Sequence, residues 1–369
     1  MKENIDITIK PTMSCNMKCR HCFNGDEFKD KTVLAKEKAA LFLEKACREY
    51  SNVKVVFHGG EPTMAGIEYY KYFFSNVKDF KKKYGTNIKL EITTNGLLLN
   101  DDFINLLIEN QCTINLSFDG PYNSILRQQT EKVQEIVFRI RDKGGKLKCF
   151  CTISKDSVEH LEEIYNWFNK NNISFKTLPI EKRGYAMSND SIVMDPQVLV
   201  SQFEKVYKKW LKDKDFCVSY STFEEFSRIT DDKVMRRPWF GRKLTIHPDG
   251  NIYSYGRPND VKFSLGSVDN IESIEDCFNC KEYKLYVEEI EALCAKKCNL
   301  CMSKTSCAGS NIGLAYLYVN DEALIDFSCH QTNILVQMIL RVNKQVKLDI
   351  QNGKISGYNS YIQQNNIKI

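Results

Sequence analysis

Three cysteines, Cys15, Cys19 and Cys22, stand at i, i+4 and i+7 directly after a short alternating run, Ile5-Asp-Ile-Thr-Ile-Lys10. Spacing this close lets three thiolates converge on one small object, and soft thiolates select iron–sulfur clusters, zinc or Cu(I). A cubane of four irons takes four ligands, whereas this loop supplies three, so one iron would be open to a non-protein ligand. The other reading of the same residues is three unrelated cysteines or part of a zinc site. A second candidate group is His58-Gly59-Gly60-Glu61-Pro62. Glycines allow close backbone approach or positive φ, and a carboxylate beside them can hold an ammonium group. The segment also reads as a strand-to-helix turn with Pro62 at the helix start. Thr93-Thr94-Asn95-Gly96 and Ser117-Phe-Asp119-Gly120-Pro121 end two further extended runs, and each contains an ordinary turn dipeptide.

The chain holds fifteen cysteines in 369 residues. An odd number excludes complete intramolecular pairing, and the chain is far larger than a disulfide-stapled module, so metal ligation is the better reading. Six of them lie from Cys277 to Cys307. Cys298-Asn-Leu-Cys301-Met-Ser-Lys-Thr-Ser-Cys307, with Cys329 farther on, contains a C-x2-C knuckle that could close a structural zinc site. Cys294-x3-Cys298-x2-Cys301 repeats the opening spacing and offers a different register. Cys277-x2-Cys280 is open between a free pair, a cluster ligand and thiol exchange with substrate. Cys47, Cys112, Cys149, Cys151 and Cys217 fall on apolar faces and are expected to be small core residues.

The elements that must position these groups alternate along the first half of the chain. Extended runs at 5–10, 53–58, 88–93, 113–118, 147–153 and 173–180 are separated by helical patterns at 34–50, 67–84, 101–110, 131–143 and 157–170. Such alternation predicts right-handed parallel βαβ units. Six units make a partial (β/α)6, TIM-like barrel, whose site belongs at the C-terminal ends of the strands. Each candidate of the first half falls at such an end. From Met187 to Arg237 the pattern is helical, with Val198, Phe203, Val206, Tyr207 and Trp210 on one side, and Gly184 to Asn189 is the flexible point. Leu244 to Tyr255 reads as a hairpin about Asp249-Gly250, followed by a helix near 280–293. The expected domains are 1–235, a barrel with linker helices; 236–345, a cysteine-bearing module; and 346–369, a polar tail.

Composition narrows the function classes. Hydrophobic residues make up 43% and charged residues 27%, with a net charge of +5, ordinary values for a soluble globular protein. No Lys/Arg block interleaved with aromatics argues for nucleic acid. No apolar run is long enough to span a membrane, and no signal-peptide core follows Met1. A soluble, cytoplasmic protein is expected, and exposed clusters suit an anaerobic setting.

The C-x3-C-x2-C loop after the first strand, followed by Phe23, resembles that of the radical S-adenosylmethionine (SAM) superfamily, and Gly59-Gly60-Glu61-Pro62 resembles the family's Gly-Gly-Glu-Pro motif. The resemblance runs from about Ile5 to Val342 and is closest to the SPASM-domain subgroup: anaerobic sulfatase-maturating enzymes and ribosomal-peptide maturases. It implies a [4Fe–4S] cluster on Cys15, Cys19 and Cys22 whose open iron chelates SAM. It implies that Glu61 and its neighbours Gly59, Gly60 and Pro62 hold the SAM amino group, and that Asn95 lies in the cofactor site. Ser117 would contact the ribose, and Arg127 the carboxylate. Cys298, Cys301, Cys307 and Cys329 match the four ligands of the outer auxiliary cluster, so two [4Fe–4S] clusters are implied.

The chain departs from the family pattern in one concerted way. The inner auxiliary cluster's positions are Tyr255 at the hairpin, Arg237–Arg242 without cysteine before it, and Asn311 after Cys307. Sulfatase maturases carry an Asp after the hairpin cysteine, where this chain has Gly256. The resemblance therefore implies a radical SAM enzyme acting on a peptide or protein, most readily a ribosomal-peptide maturase forming a thioether or C–C crosslink. Ser/Cys oxidation to formylglycine is the second enzymatic reading, and an iron–sulfur or zinc peptide-binding scaffold is the non-enzymatic one. Expected partners are the peptide substrate and an electron donor such as flavodoxin or ferredoxin. With the first strand at about Ile5, leader recognition is expected from the C-terminal module or a separate leader-binding protein.

Overall fold

In β1 (Lys2–Thr12), Ile5, Ile7 and Ile9 are buried while Asp6 and Thr8 between them are half-buried. A strand with one wholly apolar face packs it on helices and leaves the other for a polar interior. The same alternation continues in β2 (Tyr50–Gly59) and β3 (Asn87–Thr94). β4 (Thr113–Ser117), β5 (Leu147–Ile153) and β6 (Phe175–Pro179) complete a parallel run. Helices α1 (Lys36–Glu49), α2 (Ile67–Tyr84), α3 (Asp101–Glu109), α4 (Thr130–Asp142) and α5 (Leu161–Lys170) cross between them. The computed structural model describes residues 1–229, 242–254, 263–307 and 322–354. Arg237, Tyr255, Gly256 and Asn311, the expected boundary at 235/236 and the tail beyond 354 lie outside the described residues.

The hairpin does not stand apart from the barrel. β7 (Lys243–Ile246) pairs in parallel with the outer edge of β1, with Ile7 opposite Leu244 and Ile9 opposite Ile246. β8 (Asn251–Ser254) and β9 (Ser264–Ser267) follow antiparallel, giving one sheet of order β6-β5-β4-β3-β2-β1-β7-β8-β9 among the described residues. A bare β1 edge would leave a row of unpaired backbone groups, and β7 satisfies them. The hydrophobic pattern of β7 is readable in the sequence; its partner, some 240 positions away, is not.

α6 (Pro196–Lys212) buries Leu199, Phe203, Val206, Tyr207 and Trp210. Val198, expected on that face, is 40% exposed: it is five positions from Phe203, whereas Leu199 is four positions away, the spacing that keeps two side chains on one face. A long helix, Glu322–Gln351, packs against α6, and its buried Asn343 accepts from Tyr207 Oη at 2.7 Å. Val346 is buried in the main core, so the segment expected to open a polar tail at 346 is helical as far as Gln351. Cys217, expected in the core, is exposed, and its backbone N–H and thiol both donate to Asn169 Oδ1. No helix among the described residues is long and apolar enough to cross a membrane.

Candidate functional site

The cysteine loop and the Gly-Gly-Glu-Pro turn are zipped together through their backbones. Gly60 N–H donates to the Thr12 carbonyl at 3.0 Å and Glu61 N–H to the Ser14 carbonyl at 2.8 Å. A Cβ on Gly60 would collide with the carbonyl oxygens of Met13 and Ser14. The close approach that glycine permits here is therefore between two protein segments. Asn24 closes the arrangement by donating from Nδ2 to the Gly59 carbonyl at 2.9 Å.

Glu61 is 1% exposed, and its carboxylate is committed within the protein. Oε1 accepts from Thr63 N–H at 3.1 Å, Thr63 Oγ1 at 2.5 Å and Thr94 Oγ1 at 2.7 Å; Oε2 accepts from Asn95 N–H at 2.7 Å. Burial pushes this carboxyl above its usual range, against the pull of those bonds. The side chain thus ties the ends of β2 and β3 to the turn between β2 and α2. Pro62 opens that 3-10 turn, Pro62–Ala65, and its carbonyl accepts from Tyr70 Oη at 2.8 Å. Asn95 Nδ2 donates to Asn16 Oδ1 at 2.8 Å, reaching into the cysteine loop.

On the opposite wall, Arg127 and Asp119 form an ion pair with side chains 8% and 2% exposed. Arg127 Nε donates to Asp119 Oδ2 at 2.9 Å, and Nη2 to Thr152 Oγ1 at 2.8 Å; Thr152 N–H donates to Asp119 Oδ1 at 2.6 Å. Burial, the largest single influence, draws the guanidinium down, but Asp119 together with Cys19 and Cys151 holds Arg127 above its ordinary range. Its charge also opposes the effect of burial on Cys19, whose thiol is pushed up. Burial likewise pushes the Cys15 thiol up to about 11 and the Cys22 thiol upward. The loop after β6 clasps the third cysteine: Tyr185 N–H donates to the Cys22 carbonyl at 3.0 Å, and a Cβ on Gly184 would strike that same oxygen. Gly184 is therefore packed in place, where the sequence suggested a flexible point.

One cavity of about 400 Å³ lies among these groups, and Cys15, Cys19, Cys22, Gly59, Gly60, Glu61, Asn95, Ser117 and Arg127 line it. Every first-half site residue expected from the sequence meets there except Pro62. The cavity size is that of a small-molecule site, and three thiols with a buried guanidinium are a donor set that suits a cluster and a charged co-substrate. His21, His58 and Thr152 also line it and were missed. His58 stands beside the glycine pair, a readable position; Thr152 is a hydroxyl within an apolar strand and gives no signal. Asp119 was hidden as half of a turn dipeptide.

The second cysteine set gathers where the helix Lys281–Cys298, the short helix Lys304–Cys307 and the long helix meet. Burial pushes the Cys329 thiol up to about 12, with Cys298 and Cys307 near enough to add to the effect. Cys301 Sγ lies 3.6 Å from Asn333 Oδ1, one helical turn beyond Cys329. Cys277 is wholly buried in the main core and Cys294 in a smaller cluster with Tyr286, Ile290 and Ile325, while the Cys280 thiol caps the helix Lys281–Cys298 by accepting Tyr283 N–H at 3.4 Å. Among the described residues no three His, Cys, Asp or Glu side chains could together hold a single metal ion. Cluster ligands bind separate irons and need not meet at one point.

A family model described as the radical SAM superfamily matches residues 9–168, β1 through α5. The chain carries a radical SAM domain. Around it, the chain is 22% identical over 312 residues to a cysteine-type anaerobic sulfatase-maturating enzyme of Clostridium novyi, covering 78% of this chain and 82% of the relative. It is 25% identical over 182 residues to a serine-type enzyme of Bacteroides thetaiotaomicron, covering 44% and 43%. The solved structure of native anSMEcpe with bound AdoMet and Cp18Cys peptide superposes with a TM-score of 0.80 at 19% identity, over 94% of this chain and 99% of that one. Streptococcus suis SuiB bound to its precursor peptide SuiA gives 0.59 at 17% identity, over 77% and 66%. The radical SAM domain has the partial TIM-barrel fold of these neighbours, and the family implies a [4Fe–4S] cluster and SAM.

Proposed function

We propose that this radical SAM enzyme modifies a peptide or protein, most readily as a ribosomal-peptide maturase that forms a thioether or C–C crosslink. The observation that carries the reading is the convergence of Cys15, Cys19 and Cys22 with Asn95, Ser117 and Arg127 on one cavity at the strand ends. When bound there, a reduced cluster and SAM supply a 5′-deoxyadenosyl radical able to abstract hydrogen from an unactivated C–H bond. The three thiolates would hold the cluster. Arg127, oriented by Asp119 and Thr152, would meet the SAM carboxylate, and Ser117 the ribose. Glu61 fixes the loops through four protein donors and, as a lining residue whose Oε2 accepts one of them, would also meet the SAM ammonium. Peptides bound in anSMEcpe and SuiB support a peptide substrate here.

Cys298, Cys301, Cys307 and Cys329 would hold one auxiliary [4Fe–4S] cluster in a module spanning about 236–345, and that group would supply a route for an electron. The electron donor would be flavodoxin- or ferredoxin-like, and a separate protein would present a leader. The relatives' names favour a second reading, oxidation of Ser or Cys to formylglycine; against it, Gly256 stands where sulfatase maturases carry an Asp. The test is anaerobic reduction with SAM and chromatography for 5′-deoxyadenosine. The wild-type chain should form it and Cys19→Ala should not; equal yields from both would overturn the assignment.

A further inference from the structure

The face of the sheet that lines the cavity is basic. His58, Thr93, Ser117, Phe150, Thr152 and Leu178 line the cavity, and the residues of like parity on the same strands share their face. From Asp6 onward that face carries Lys10, Lys54, Lys89, Lys148, Lys176 and Lys243 against two carboxylates, Asp6 and Glu91, as the strand registers show. Lys54 is engaged with Glu91 at 2.8 Å, and Lys243 lies 3.9 Å from Asp6. Lys176 is tied at 2.6 Å to Glu225, which reaches over from the helix Ser221–Ser227.

Lys148 differs from these. It is half-buried, lies one alternate position before Phe150, and makes no ion pair among the described residues. Phe150 sits opposite Lys176 in the parallel β5–β6 register, which places Lys148 one alternate position before that pair. A half-buried lysine without a counter-charge has its stem covered and its ammonium open to water or to an arriving anion. Its placement beside the cavity, toward the β6 edge of the sheet, makes an arriving anion the natural counter-charge.

We propose that Lys148 receives a side-chain carboxylate of the substrate, so that the peptide segment entering the cavity is acidic. This rests on the peptide-modifying reading above. One alternate strand position spans about 7 Å, which puts the acidic residue within about three positions of the residue modified on an extended peptide.

The test uses the reconstituted full chain and a tetramethylrhodamine-labelled, C-terminally amidated peptide, Gly-Glu-Gly-Glu-Gly-Cys-Gly-Glu-Gly, with versions in which Gln or Lys replaces every Glu. Fluorescence anisotropy at low and high salt reads binding to the wild type, Lys148→Gln and Lys148→Arg. The Glu peptide should bind about tenfold tighter than the Gln peptide at low salt, the size of one charge-assisted contact, with the margin shrinking as salt rises. Lys148→Gln should cut that preference to about twofold and Lys148→Arg should keep it. Equal binding of Glu and Gln peptides, no binding of the Glu peptide, or an undiminished preference in Lys148→Gln would overturn the proposal. So would a non-amidated Gln peptide that matches the Glu peptide, since the chain terminus would then be the anion. Peptide-independent formation of 5′-deoxyadenosine, measured on the same samples, should be unchanged in both Lys148 variants. Its absence from the wild type would instead defeat the reading of the cavity, and the anisotropy would still report on Lys148.

Discussion

The carboxylate of Glu61, at the end of β2, accepts the backbone N–H of Asn95, at the end of β3, at 2.7 Å. With Thr63 and Thr94 on its other oxygen, Glu61 links two strand ends beneath the cysteine loop. It is thus a structural tie as well as a lining residue of the cavity.

Glu61→Gln should therefore act on stability. An amide nitrogen would replace one acceptor and face a donor, costing about 1–3 kcal/mol for a buried hydrogen bond lost and a donor left unmatched. The thermal midpoint of the anaerobic holoenzyme should fall with and without SAM. An unchanged midpoint together with weakened SAM binding by calorimetry would leave Glu61 only its contact with the ligand.

Gly60→Ala is expected to disturb the cysteine loop itself. The added Cβ meets the Met13 and Ser14 carbonyls, which are backbone atoms and cannot step aside as a flexible side chain can. Reconstituted Gly60→Ala should bind less iron at the first site and lose 5′-deoxyadenosine formation, while circular dichroism stays that of a folded chain. Full iron loading with wild-type turnover would show that the loop has room to move.

Two cysteine sets, of three and four residues, predict about eight irons and eight sulfides per chain. Cys307→Ala should reduce this to about four, keep peptide-independent cleavage of SAM and abolish peptide product. A count near twelve irons would mean a third cluster, and zinc without sulfide in the variant-sensitive site would mean a closed structural metal.

His58 sets a pH dependence. It is half-buried beside the glycine pair, and its Nδ1 accepts Gly59 N–H at 2.7 Å. Burial and then the charge of Lys10 lower its pKa to about 4. The unfolded chain, near 6.5, binds this proton first, so stability is full above about 6.5 and is lost as pH falls toward 4. His58→Asn offers an oxygen acceptor at the same place without titrating. Its melting temperature should vary less than that of wild type between pH 7 and 5, and parallel curves would remove His58 as the cause.

Much of this protein is decided locally and is therefore legible in the chain. Alternation in Ile5–Lys10 and its five counterparts needs only a strand with one face on helices, so the (β/α)6 order follows from period and length. Cys15, Cys19 and Cys22 are close in sequence, and close spacing alone brings them to one loop. What the tertiary structure decided are meetings between distant segments. Nothing in Leu244-Thr-Ile names Ile7 as its partner, because backbone pairing carries no side-chain label. Asp119 reads as a turn until Arg127 and Thr152 surround it, and only burial then gives their contacts strength. Glu61 reads only as a ligand until the fold sets Thr63, Thr94 and Asn95 against its carboxylate. Lys148 is one lysine among many until pairing of β4, β5 and β6 sets it, half-buried, on the face that lines the cavity. Periodicity fixes which side of an element is apolar; only packing decides which polar atoms are already satisfied and which still lack a partner.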